Sequence, residues 1–176
     1  MSRRSIVLDL DGVIADIDSG VKAELKKRDI KQNHKSWFIT NTLSPLATEI
    51  FDDPLFWKNL KPYEDAWYQV NYWFSQNIDI HIVTARRRTA AVEQTIPWLD
   101  SWGINTLQPK FSEFGKKVDI IKDINPMFVV EDNPHEIKIL QDNGIKCFMR
   151  KQWYNFDHAY MMDCIESLED IDLEKM

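Results

Sequence analysis

The stretch Ser5-Ile6-Val7-Leu8-Asp9-Leu10-Asp11-Gly12-Val13-Ile14-Ala15-Asp16 decides the fold. Its run from Ile6 to Leu10 is apolar up to the first acid, as in a strand buried inside a parallel sheet. Two carboxylates, Asp9 and Asp11, end it two residues apart, and Gly12 follows at once. On a strand, residues i and i+2 share a face. Both acids therefore stand side by side at the strand's carboxyl end, where open α/β sheets place their sites. Gly12 permits a tight turn or a close backbone approach to a ligand. Adjacent buried negative charges are costly unless offset, and a divalent cation such as Mg²⁺ offsets them through carboxylate oxygen. Taken alone, Asp11-Gly12 reads equally well as a turn at a polar strand end.

Further strands follow downstream. Ile78 to Val83 is apolar and runs into Thr84-Ala85-Arg86-Arg87-Arg88. Met127 to Val130 runs into Glu131-Asp132, and Ile145 to Met149 forms another strand. Between them, Tyr63, Ala66, Trp67, Val70, Trp73 and Phe74 keep helical spacing over 63–76, with Pro62 at a position suited to a first helical residue. Residues 89–102 read as a helix that Pro97 kinks or restarts and Gly103 stops. A short helix begins near Lys117. Asn133 caps the next one, with Pro134 first and Glu136 as capping-box partner. Thr106-Leu107 begins a short strand, and Ala159 to Ile171 is an amphipathic segment packed on the outside. Alternating strands and helices predict a parallel, Rossmann-like α/β sheet with helices on both faces. Residues 16–61 break that alternation. They read as a small helical cap inserted after the first strand, which leaves 1–15 and 62–176 as the core.

The 176 residues suffice for one domain with a real core. At 44% hydrophobic and 12% aromatic, the composition excludes disorder. A net charge of −6 argues against bulk nucleic-acid binding, though a small anion or a strand end fits if cations cluster locally. Cys147 and Cys164 match no zinc or disulfide spacing. Without an apolar run of membrane length or a signal-peptide plan, the expectation is a cytoplasmic protein with no membrane partner.

Taken together, Asp9-Leu10-Asp11-Gly12-Val13, Thr84 after an apolar strand, Lys117 before an apolar helix, and Glu131-Asp132 resemble the four motifs of the haloacid dehalogenase superfamily. The resemblance spans residues 5 to about 150 and is loosest at Lys117, which has Lys116 as a rival. It implies a capped Rossmann-like fold and Mg²⁺-dependent phosphate-ester hydrolysis. Asp9 becomes the nucleophile and Asp11 the general acid and base. The metal is held by Asp9, the Asp11 backbone carbonyl and Asp132, with Glu131 acting through its water shell. Thr84 donates to the phosphoryl group, and Lys117 neutralises charge. Read without the family, Thr84 is a β-branched strand residue and Lys117 a solvated helix charge.

The run Phe56 to Pro62 and the segment Lys117 to Lys122 are similar to the 5'(3')-deoxyribonucleotidase branch. That branch implies a nucleoside monophosphate substrate, its base against aromatics such as Trp37, Phe38, Phe51, Phe56 and Trp57; these rings serve equally as the cap's own core. Nucleotidases of that branch continue Ser-Pro after the threonine, whereas this chain continues Ala85-Arg86. An arginine there can grip a second phosphate, which resembles the phosphatase half of polynucleotide kinase/phosphatase enzymes. Nucleic-acid 3'-ends and phosphosugars are therefore the alternative substrates, and a non-catalytic binding protein is the third reading.

Overall fold

The side chains of the first strand divide the molecule into two layers. In the computed structural model, which describes residues 4–30, 45–104 and 107–175, Ile6 and Leu8 face one core and Val7 the other. This strand, β1 (Ser5–Leu8), pairs in parallel with β2 (Asp79–Thr84) on one side and β4 (Val129–Glu131) on the other. Beyond β2 lies β3 (Lys110–Phe111); beyond β4 lie β5 (Cys147–Arg150) and β6 (Cys164–Ile165). All pairings are parallel, in the order β3-β2-β1-β4-β5-β6. The chain builds outward from β1 through β2 and β3, then returns to β4 on β1's other side. That reversal opens a crevice at the carboxyl ends of β1 and β4.

Helices cover both faces, as the alternation predicts. Trp73 and Val70 of α4 (Glu64–Ser75) and Trp98 and Leu99 of α5 (Thr89–Ser101) pack with Ile6, Leu8, Ile82 and Val130. On the opposite face, Ile121 of α6 (Lys117–Ile124) and Ile137 and Leu140 of α7 (Pro134–Asp142) pack with Val7, Val83 and Val129. Between β1 and α4 the described residues form α1 (Ile17–Lys27), α2 (Pro45–Phe51) and α3 (Pro54–Lys58). Asp16 starts α1 by accepting from the Ser19 N–H at 3.0 Å. Trp37 and Phe38 lie outside the described residues, as does Thr106. No helix among the described residues is long and apolar enough to cross a membrane.

Three local expectations are corrected. Leu107 is buried but outside any strand; the short strand comes later, at Lys110–Phe111, where it can pair with Val83 and Thr84. Pro62 is not a helix start: it bridges Ala15, and α4 begins at Glu64. The tail's amphipathic segment is not one element packed on the outside: a 3₁₀ turn over Phe156–Met161 leads into β6, which joins the sheet, then a second turn over Leu168–Asp170. An open edge beside β5 offers the tail ladder hydrogen bonds that an isolated short helix lacks.

Asp65 fastens that tail. It lies in the first turn of α4 and accepts from Arg150 Nη2 at 2.7 Å, the Leu168 N–H at 2.9 Å and Ser167 Oγ at 3.0 Å. Arg150 is buried and also donates to the Val13 carbonyl. Burial alone would raise the Asp65 carboxyl, but these donors outweigh it and hold it below its ordinary 3.8. A depressed carboxyl contributes stability above the unfolded value, and that contribution is lost as pH falls through the folded value. Asp65→Asn is therefore expected to cost about 2 kcal/mol at neutral pH, since it strands a buried guanidinium. Urea melts of both chains across an acid series check this. The gap should close below pH 3.8, and a gap that does not change with pH overturns the ion-pair account.

Candidate active site

The carboxyl ends of two neighbouring strands, β1 and β4, bring the acids together. Asp9 continues β1, and its N–H still donates to the Val130 carbonyl at 2.9 Å. Glu131 ends β4, and Asp132 follows it. One carboxylate oxygen from each of Asp9, Glu131 and Asp132 lies within 4.8 Å of the others, and all three residues are buried. Lys117 enters from the first turn of α6, only 2% exposed, and its Nζ donates to Asp9 Oδ1 and to Glu131 Oε2, both at 2.7 Å. Lys116 instead points outward to Glu113 at 2.5 Å. Register decides between them: Lys117 sits four residues before the buried Ile121, on the helix face turned to the sheet.

Charge is unbalanced at this point, with three buried carboxylates against one ammonium. Burial, then Glu131, pushes the Asp9 carboxyl up to about 7, while Lys117 pulls the other way. Asp132 is raised well above its ordinary range by burial, then by Glu131 and Asp9. Burial opposes the charged form of Lys117, but Asp9 and Glu131 outweigh it and keep the ammonium protonated. Oxygen donors with excess negative charge are the set that a hard divalent cation takes, so Asp9, Glu131 and Asp132 could hold one.

The cluster opens into a cavity of about 330 Å³. Asp11, Thr84, Ala85 and Arg86 line it with the cluster, and Trp57 of α3 faces it from above the sheet. Thr84 is 1% exposed, and its Oγ1 accepts from the Arg86 N–H at 3.3 Å, which leaves its O–H to donate. The arginine triplet splits three ways. Arg86 turns inward to Asp11, Arg87 is exposed at the cavity, and Arg88 pairs with Asp52 at 2.6 Å. Phe51 and Trp57 line the cavity, whereas the buried Phe56 packs edge-on against both.

Several site residues are absent from the sequence reading. Tyr154, in the loop after β5, donates to Asp132 Oδ2 at 2.5 Å, and Gln152 Nε2 donates to the Gly12 carbonyl at 2.7 Å. Trp153 lines the cavity and donates to Asp18 of α1 at 2.8 Å. One signal pointed to this loop: in a parallel sheet it must emerge at the same end as Asp9. Gly12 has φ of +81°, and a Cβ there would run into the Asp132 carboxylate and lie 2.7 Å from Tyr154 Oη. The close approach expected of this glycine is to the protein's own acid. Glu136 is no capping-box partner. Asn133 caps α7 through the His135 N–H, and Glu136 reaches across to accept from the Gly115 N–H, bracing the turn that delivers Lys117.

No protein-family model and no curated protein matches the chain. Solved structures do. A haloacid dehalogenase hydrolase of family IA, variant 3, from Entamoeba histolytica is 15% identical with a TM-score of 0.63, over 98% of this chain and 96% of that one. The magnesium-bound putative hydrolase YfnB from Bacillus subtilis is 15% identical with a TM-score of 0.62, over 97% of each chain. CbbY from Rhodobacter sphaeroides, in complex with phosphate, is 10% identical with a TM-score of 0.60, over 94% of each. With its all-parallel six-stranded sheet, helices on both faces and acids gathered at the tip of β1, the chain has the α/β fold of the haloacid dehalogenase-like hydrolases.

Proposed function

We propose that the chain is a Mg²⁺-dependent phosphomonoester hydrolase that works through an aspartyl-phosphate on Asp9, with nucleoside monophosphates as its substrates and the cytoplasm as its location. One observation carries the reading: Lys117 Nζ is shared by Asp9 and Glu131 at 2.7 Å each, at the floor of a cavity that also holds Asp11, Thr84 and Asp132. A dianionic phosphate cannot approach an anionic nucleophile without cations, and phosphoryl transfer needs charge stabilisation more than any other help.

Lys117 keeps Asp9 oriented and offsets charge as the phosphate arrives. The Asp9 oxygen attacks phosphorus while the ester P–O bond breaks, and the Asp11 carboxyl passes its proton to the leaving oxygen. Water then attacks phosphorus, Asp11 takes its proton, and the bond from Asp9 to phosphorus breaks to release inorganic phosphate. Thr84 donates to a non-bridging oxygen throughout. Mg²⁺ bound by Asp9, Asp132 and the Asp11 carbonyl, with Glu131 nearby, would supply further charge neutralisation at the phosphoryl group. Magnesium and phosphate are named for YfnB and CbbY, respectively, which is consistent with this chemistry.

The cavity favours a small ester. Its volume, about 330 Å³, falls in the range of small-molecule sites. Phe51, Trp57, Phe114 and Trp153 give it aromatic walls suited to a base. A second phosphate finds Arg86 already engaged by Asp11 and Thr95, which favours a monophosphate over a strand end.

Phosphate release measured across nucleoside monophosphates, sugar phosphates and 3'-phosphorylated oligonucleotides tests the assignment. Fastest turnover of a nucleoside monophosphate is expected, and preference for either other class overturns the substrate. Asp9→Asn should lower kcat by at least about 10³-fold, as for loss of a covalent nucleophile; near-normal turnover rules out Asp9. Chelation should abolish release and added Mg²⁺ restore it, whereas activity indifferent to a chelator removes the metal from the account.

A further inference from the structure

Arg86 was expected to reach for substrate, yet each nitrogen of its guanidinium already donates within the protein. Nε donates to Asp11 Oδ2 at 2.9 Å and Nη2 to Asp11 Oδ1 at 2.5 Å. Nη1 donates to Thr95 Oγ1 at 3.1 Å, and Thr95 itself is buried on α5, donating to the Ala91 carbonyl. Trp57 covers the guanidinium face, with Arg86 Cζ 4.7 Å from the ring centroid. The indole is fixed in turn by its Nε1–H, which donates to the Phe51 carbonyl at 2.8 Å. The Arg86 side chain is 1% exposed, and that of Asp11 14%. A planar fork pinned on two edges and one face fixes the plane of the carboxylate it holds.

From this geometry we infer that Arg86 is a positioning residue, which holds Asp11 as an aimed proton acceptor for hydrolysis of the phosphoenzyme. The inference rests on the Asp9 and Asp11 roles proposed above. A carboxylate has about four acceptor positions on its two oxygens. The fork occupies one on each oxygen, so each keeps another for the attacking water. Water gives its proton to Asp11 as its oxygen bonds to phosphorus and the bond to Asp9 breaks. Lysine at position 86 would keep the positive charge but lose the paired donors, and Asp11 could then turn.

Stopped-flow hydrolysis of 2,4-dinitrophenyl phosphate by the intact chain with Mg²⁺ separates the roles, because its leaving group needs no proton. The step that forms the phosphoenzyme then bypasses Asp11, while the second step still requires it. For Arg86→Lys, kcat should fall at least about tenfold, a fraction of what general base catalysis contributes. The ratio kcat/KM should stay within about threefold, with a burst of phenolate approaching one per enzyme. If Arg86 instead grips substrate phosphate, kcat/KM falls and no burst appears, which overturns the inference. Should Arg86→Lys fail to fold, Thr95→Val decides: a lower kcat at constant kcat/KM supports it, and any other pattern overturns it. A wild-type chain inert toward this ester defeats the proposed function itself, and the role of Arg86 falls with it.

Discussion

One ammonium among three buried carboxylates sets the terms for the whole molecule. Removing such charges from water costs several kcal/mol each, and an unpaired one would oppose folding. Lys117 offsets part of this by donating to Asp9 and Glu131 together. Tyr154 supports Asp132, and the Asn133 N–H donates to Glu131 Oε1 at 3.2 Å. The remaining imbalance is what the cation in the proposed function would offset. Under the proposed function, such an acidic floor would repel phosphate until positive charge is in place.

The sheet makes that concentration of charge possible. Because every pairing is parallel, every strand delivers its following loop to one end. The reversal at β1 then puts the first acid of the chain beside acids that come more than a hundred residues later. Helices between β1 and α4 add another wall. Trp57 reaches the cavity from α3 and lies on Arg86, while Asp18 and Val21 of α1 line it near Trp153. The α3 indole thereby supports the guanidinium that holds Asp11.

Strand ends were readable because their chemistry is local: an apolar run followed by an acid, a threonine or an acidic pair needs no tertiary information. Lys117 came from the family resemblance with Lys116 as its rival, and the buried helix face it shares with Ile121 separates the two. Arg86 was read as a grip for a second phosphate, but the partner it meets lies 75 residues away and no spacing rule reaches that far. The same limit hid Tyr154 and Gln152, which sit in a loop without periodicity and act on Asp132 and Gly12. Glu136 had the spacing of a capping partner, yet Asn133 caps the helix through the His135 N–H and the Glu136 carboxylate is drawn to the Gly115 turn. In the tail, short turns and a two-residue strand follow sheet-edge pairing rather than helix period.

The proposed hydrolysis requires a covalent bond at Asp9. Rapid acid quench of the wild-type chain during turnover of a nucleoside monophosphate with Mg²⁺, followed by peptide mass mapping, tests it most directly. A phosphoryl group on the peptide that contains Asp9, formed and lost fast enough to account for phosphate release, is the predicted result. Phosphate release with no phosphorylated peptide, or with the group on another residue, would contradict it.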